Sequence, residues 1–179
     1  DYSVSTKIPT REGYTFTGWN TIADGTGTTY AAGSTYSIDA DLDLYAQWQI
    51  ITTTLTVNPN GGTWNGSASN GTIQGTFNST TTITNPTAPN GYTVTLDNEG
   101  IKTNKVQTQT FTGWTVVAGT GTISGITYTF GTEDGEISAS YTLNSVDLGT
   151  PTKEGYTFDG WYDEDGNKIE STTTVNLTS

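Results

Sequence analysis

Pro9-Thr10-Arg11-Glu12-Gly13-Tyr14-Thr15-Phe16-Thr17-Gly18-Trp19 returns with two changes as Pro151-Thr152-Lys153-Glu154-Gly155-Tyr156-Thr157-Phe158-Asp159-Gly160-Trp161, 142 residues later at both ends (9 to 151 and 19 to 161). The match extends upstream, where Ser3-Val4 corresponds to Ser145-Val146. A degenerate copy lies between them: Asn90-Gly91-Tyr92-Thr93-Val94, an insertion, then Phe111-Thr112-Gly113-Trp114. Copies of this length mark a repeat protein, an architecture that builds extended scaffolds more often than catalytic sites.

The quoted stretch reads as a β-strand. With a period of two, Tyr14, Phe16 and Gly18 face one way and Thr15, Thr17 and Trp19 the other, unless Gly18 marks a bulge that rotates Trp19 inward. Asp24-Gly25 and Asp165-Gly166 are turn signals at equivalent places. Asp41 to Trp48 alternates, with Leu42, Leu44, Ala46 and Trp48 on one face, and predicts a closing strand with one buried side. Further on, Thr52 to Val57 predicts a strand and Asn58-Pro59-Asn60-Gly61-Gly62 a turn. A Gly-, Ser- and Asn-rich loop is expected through Gly75. Strands are expected near 80–84, 92–96, 106–114, 126–130 and 137–141, with an inserted hairpin turning at Asn98-Glu99-Gly100. No segment sustains a helical period of ten residues. The fold class is therefore mainly β, in three parts: a first module over 1–49, a larger elaborated β-domain with the degenerate repeat over 50–142, and a partial third module over 143–179. Ile137 to Tyr141 takes the place that Leu42 to Trp48 holds in the first copy.

Composition narrows the function. The 179 residues carry 18 acidic against 6 basic side chains, a net charge of −12, which repels phosphate backbones and anionic headgroups. Nucleic acid and membrane insertion are accordingly not expected as partners, and no 18-residue apolar run is present. The chain has no Cys, Met or His. Disulfides and thiolate metal sites are thereby excluded, and the commonest acid-base residue is missing. A threonine-rich, lysine-poor, acidic, cysteine-free composition is typical of prokaryotic cell-surface proteins, so an extracellular place is expected, and the missing initiator Met suggests a mature or excised piece of something longer.

The motif Pro-Thr-(Arg/Lys)-Glu-Gly-Tyr-Thr-Phe-x-Gly-Trp, followed by an Asp-Gly turn and a closing Leu44-Tyr45-Ala46-Gln47-Trp48, strongly resembles the Listeria-Bacteroides repeat, also called the internalin-type B repeat. The likeness is specific over 9–48, clear over 151 to about 170, and degenerate over 55–141. Val57 to Gly62 resembles the Asn-Gly-Gly end of the family's opening strand, an element that neither terminal copy shows. The resemblance implies small β-grasp-like modules in tandem, in secreted or wall-anchored surface proteins that space, rigidify and sometimes bind, without enzymatic activity. The β-grasp fold normally includes a helix, and the sequence offers no convincing one.

Side chains with chemical potential are few. Asp39, Asp41 and Asp43, and again Asp163, Asp165 and Asn167, have the alternate spacing of a calcium loop. Both lack the sixth-position Gly and twelfth-position Glu of such loops, so no metal site is assigned and the acids read as a solvated strand face and a polar turn. Glu12 and Glu154 lie in different copies and no Ser has a His partner; no catalytic residue and no cofactor is assigned. The Gly-Trp aromatics could stack sugars if exposed, but at matching places in each copy they read as module cores. Lys7, Lys102, Lys105, Lys153 and Lys168 read as solvated charges, not as isopeptide crosslinks, since none lies centrally in an apolar strand. Four Asn-x-(Ser/Thr) sequons begin at Asn65, Asn70, Asn78 and Asn176.

The expected role is a non-enzymatic structural segment of an extracellular stalk, adhesin or filament, whose partners are neighbouring repeats of the same protein. The alternative is an adhesion module that binds a host glycan or protein through the loops of the 50–142 domain. Fully buried Trp19, Trp64, Trp114 and Trp161 would favour the scaffold, and an exposed aromatic cluster beside the long loop the adhesion module. The last copy reaches Val175-Asn176-Leu177 without a strand like Leu42 to Trp48. Two readings follow: a segment cut from a longer array, or copies joined into a homopolymer by strand exchange.

Overall fold

The computed structural model describes residues 2–37 and 39–169. They form strands only: β1 (Tyr2–Ser3), β2 (Tyr14–Asn20), β3 (Thr29–Tyr30), β4 (Thr35–Tyr36), β5 (Tyr45–Ile50), β6 (Thr52–Asn58), β7 (Gly71–Thr76) and β8 (Thr80–Thr82) in the first half. The second half adds β9 (Tyr92–Asn98), β10 (Ile101–Gln107), β11 (Gln109–Ala118), β12 (Thr122–Ser124), β13 (Thr127–Thr129), β14 (Gly135–Leu143), β15 (Trp161–Tyr162) and β16 (Lys168–Ile169). The mainly β expectation holds, and no helix occurs among the described residues. The strands make several small sheets, of which the largest has the order β11-β14-β6-β7.

Two corrections concern boundaries. The expected loop ends at Asn70, because Gly71–Thr76 is β7, which pairs antiparallel with β6 from Thr52↔Thr76 to Val57↔Gly71. The β-branched Thr72, Ile73 and Thr76 carry that strand in spite of its glycines. The closing strand of the first copy starts at Tyr45, not at Asp41, and its inward residues are only half-buried. Like-charged Asp41 and Asp43 gain nothing from a ladder and stay in the approach to it.

The chain divides into two compact units, Asp1–Val57 with Gly71–Ile83 and Val116–Ile137, and Asn58–Asn70 with Thr84–Thr115 and Ser138–Ser179. In the first unit β6 alternates, burying Thr53, Leu55 and Val57 on one side. Ile83, Tyr128, Phe130 and Ile137 are buried with them. Each such aliphatic side chain contributes about 1.5–3 kcal/mol on leaving water. Tyr128 and Phe130 meet edge to face, centroids 5.2 Å apart at 89°. Close backbone approach makes room for them: a Cβ at Gly75 would overlap the Phe130 ring, and one at Gly121 or Gly135 the Tyr128 hydroxyl. The sheet β3-β2-β5 of the same unit holds the first copy.

In the second unit β9 and β10 form the expected hairpin, Asn98 opposite Ile101, with Glu99 and Gly100 at φ 51° and 86°. Two positive φ values at the central residues define the turn whose twist matches that of its strands. Leu96 of this hairpin, Val146 and Leu148 form a buried cluster, and Val94, Trp161 and Ile169 pack against it. The third Trp thus seats on the hairpin inserted into the degenerate copy. That contact could not be read from the third motif alone.

Candidate functional site

The glycine and the ring pair of the motif keep one geometry in all three copies. Pairing of β2 with β5 runs Phe16↔Trp48 and then Gly18↔Gln47, so Thr17 is the extra residue of a β-bulge. Gly18 has φ 141°, Gly113 155° and Gly160 151°, a backbone region that L side chains rarely enter. In the first copy the extra residue turns an odd spacing into an even one, and Phe16 and Trp19 come to the same face. The Phe and Trp rings meet edge to face, at 5.3 Å and 67° for Phe16–Trp19, 5.5 Å and 63° for Phe111–Trp114, and 5.5 Å and 66° for Phe158–Trp161. The bulge reading of Gly18 is therefore the one the structure adopts. Phe16 also meets Trp48, and Phe111 meets Tyr141, so Tyr141 holds the place of Trp48, as the alignment of the closing segments expects. Tyr141 is fixed by its hydroxyl, which donates to the Pro59 carbonyl at 2.7 Å. Replacing Gly113 by Ala meets no neighbour within 4 Å. Only the backbone conformation is penalised, and Gly113→Ala is expected to cost roughly 1–3 kcal/mol in denaturant melts, with loss of the near-UV signal of the ring pair.

Trp64 and Trp114 are buried, whereas Trp19 and Trp161 are half-buried. Trp161 donates its indole N–H to the Gly149 carbonyl at 2.9 Å. The long loop carries no exposed aromatic, since Trp64 lies inside and closes a tight turn with Ser67 through two backbone hydrogen bonds. Asn65 and Asn70, the sequon residues of that loop, are exposed, and Asn78 is exposed in the turn after β7; Asn176 lies outside the described residues.

The entry turn of the motif also recurs. Tyr14 N–H donates to the Arg11 carbonyl and Tyr156 N–H to that of Lys153, both at 3.1 Å, with Gly13 and Gly155 at φ 76° and 79°. Positive φ at the third turn residue calls for glycine. Each turn folds its cation over the following ring, Arg11 at 3.8 Å from the Tyr14 centroid and Lys153 at 4.4 Å from that of Tyr156. The turns differ in what covers them. A Cβ at Gly13 would overlap the ring of Phe77, while one at Gly155 would meet nothing within 4 Å among the described residues.

The oxygen ligands singled out in the sequence are used locally. Asp163 accepts hydrogen bonds from the Asp165 N–H (3.0 Å), the Asn167 N–H (2.8 Å) and the Asn167 amide (2.9 Å). The Asn167 side chain, followed by its backbone N–H, holds the Asp163 carboxyl below its ordinary range. Asp39 receives the Tyr2 hydroxyl at 3.4 Å and borders a shallow depression with Asp41, Tyr36 and Leu42, which Asp43 does not line. No group of three metal-type side chains occurs among the described residues. Glu12 and Glu154 stand exposed in their separate turns. No lysine is buried; Lys153 pairs with Glu99 at 2.5 Å and Lys168 with Asp159 at 3.3 Å.

A concavity beside the third motif combines apolar and polar groups. A groove of about 250 Å³ lies in the second unit between the hairpin tip at Asn98 and Glu99 and the third motif at Pro151, Lys153, Tyr156 and Phe158. Tyr156 is 72% exposed there. At its edge Asp159 accepts from the Tyr162 hydroxyl and from Lys168, so its carboxyl is held below the ordinary range, first by the tyrosine and then by the lysine. The same hydrogen bond raises Tyr162, because the carboxylate favours the neutral phenol. Asp159→Asn is expected to move the Tyr162 titration down toward that of a free tyrosine. The Tyr162 ring carbon resonance measured against pH reads this directly. The contact itself is lost as pH falls through the depressed Asp159 value.

The Listeria-Bacteroides repeat domain model matches residues 2–47 and 126–179, more than half of the chain. The chain belongs to the Listeria-Bacteroides repeat family. The degenerate copy with Phe111 and Trp114 lies between the matched segments, yet its glycine φ and its ring pair match those of the other two copies. Among curated proteins, one provisionally named a Gly-rich membrane protein of Evansella cellulosilytica is 29% identical over 170 residues, 87% of this chain and 18% of that protein. Another from the same organism, provisionally named a membrane protein, is 54% identical over 39 residues, 21% of this chain and 6% of its own length. The chain thus spans less than a fifth of the length of these relatives. No solved structure matches it. No helix among the described residues is long and apolar enough to cross a membrane.

Proposed function

We propose that this chain is a non-enzymatic structural segment of an extracellular surface stalk, adhesin or filament, in which small β-grasp-like modules follow one another. The observation that carries the proposal is the same positive-φ glycine with its edge-to-face Phe-Trp pair, made three times in one chain. Repetition of a core-forming device, with every described acid but Glu136 exposed, supports holding and spacing over chemistry. Membership of a surface-associated repeat family and relatives named as membrane proteins agree with a place at the envelope. Antibody raised to the chain should label intact producing cells and lose that label on treatment with external protease. Labelling only after permeabilisation would overturn the reading.

A second reading, adhesion to a glycan or host protein, is favoured by the groove that the hairpin tip of the 50–142 region shares with the exposed Tyr156. Binding on a glycan array that disappears in Tyr156→Ala would support it. Joining of chains into a homopolymer by strand exchange is a further proposal, to be read from light scattering over a concentration series.

A further inference from the structure

We propose that the bare turn at Gly155 is a docking seat for a phenylalanine-bearing turn of the β-module that follows in the array. The inference rests on the array reading above and names the contact that would join its modules.

The first copy shows the seat filled. Gly13 is buried, Phe77 lies over it from the turn after β7, and the Ile51 N–H donates to the Gly13 carbonyl at 2.9 Å. The Ile51 carbonyl in turn accepts the Phe77 N–H at 2.9 Å, so one backbone relay fixes the ring over the glycine. Tyr14, beside the seat, is half-buried and pairs with Ile50. Phe77 and Ile51 both follow the first module, so they form its joint with what comes next.

In the third copy no described residue fills the same seat. Residues 151–158 differ from 9–16 only at Lys153, and the turn has the same hydrogen bond, the same glycine φ and the same cation over the tyrosine. Nevertheless Gly155 is exposed, nothing among the described residues covers it, and Tyr156 is 72% exposed. A surface preformed to this degree needs no rearrangement to accept a ring, which lowers the ordering cost of the joint. The occupant cannot be Phe77 of a second copy, since that ring is already seated on its own Gly13. A following module of the same kind fits, with its counterpart of Ile51 donating to the Gly155 carbonyl.

The first arm uses the chain as it stands. Gly13→Ala and Gly155→Ala bear the same backbone penalty, so the larger fall in melting temperature expected for Gly13→Ala reads the covering ring alone; equal falls would overturn the seat. The second arm appends residues 38–142 after Ser179, which continues the 142-residue register. Amide exchange at Gly155 and Tyr156 is expected to slow at least tenfold and to recover when the appended counterpart of Phe77 is changed to Ala. An appended module that folds, shown by its own near-UV spectrum, without protecting Gly155 overturns the seat and leaves the array reading intact. An appended module that does not fold counts against both.

Discussion

Truncating Trp114 to alanine is expected to lower the stability of the chain by about 3–5 kcal/mol, the range for removing a large aromatic from a packed interior. Trp114 is 7% exposed, lies against Phe111 and follows Gly113, whose φ is 155°. Its removal leaves Phe111 with Tyr141 alone, at 6.0 Å. The counterpart at Trp19 is half-buried, so Trp19→Ala should cost less. Chemical denaturation of the two variants, followed by fluorescence of the remaining tryptophans, checks the order. Equal losses would show that exposure does not govern the role of the ring.

Tyr128→Ala is expected to cost about as much, roughly 3–5 kcal/mol, for the loss of a fully buried ring and the cavity it leaves. The side chain is 1% exposed, stands edge to face with Phe130, and has its hydroxyl between Gly121 and Gly135. Burial raises its pKa above the ordinary tyrosine value of 10.0. The sign of the pH effect follows. The unfolded phenol ionises first, so the contribution of Tyr128 is complete below about pH 10 and is lost as pH climbs toward the raised value. Tyr128→Phe should flatten that alkaline loss, measured as melting temperature between neutral pH and pH 11, whereas Tyr128→Ala should lower stability at every pH.

Strands with strict alternation were legible: Thr52 to Val57 and Ile137 to Tyr141 appear where periodicity puts them, because one face of each is buried. The turn at Glu99-Gly100 was equally plain. β7 was missed because Gly71 and Gly75 look like loop, and Gly75 is there for a non-local reason, the approach of Phe130. Asp41 to Leu44 alternates without pairing, since alternation reports a preference for two faces and not the presence of a neighbouring strand. At the site, the motif announced its glycine and its Trp, and left the bulge as one of two options. Phe77 over Gly13 and Trp161 over Leu96 depend on residues 64 and 65 positions apart, and no local pattern encodes such pairs.

The hairpin of β9 and β10 also governs order in time. Its strands are joined by a two-residue turn and need no distant partner, so it can close within about 1–10 μs of leaving the ribosome. Synthesis proceeds at about 5–20 residues per second. Val146, Leu148 and Trp161 emerge seconds after Leu96, and each is expected to meet a hairpin already made. The third motif would then fold by adsorbing onto a finished surface as the chain lengthens, and a growing polypeptide would add structure from its N-terminal end without waiting for its last residue.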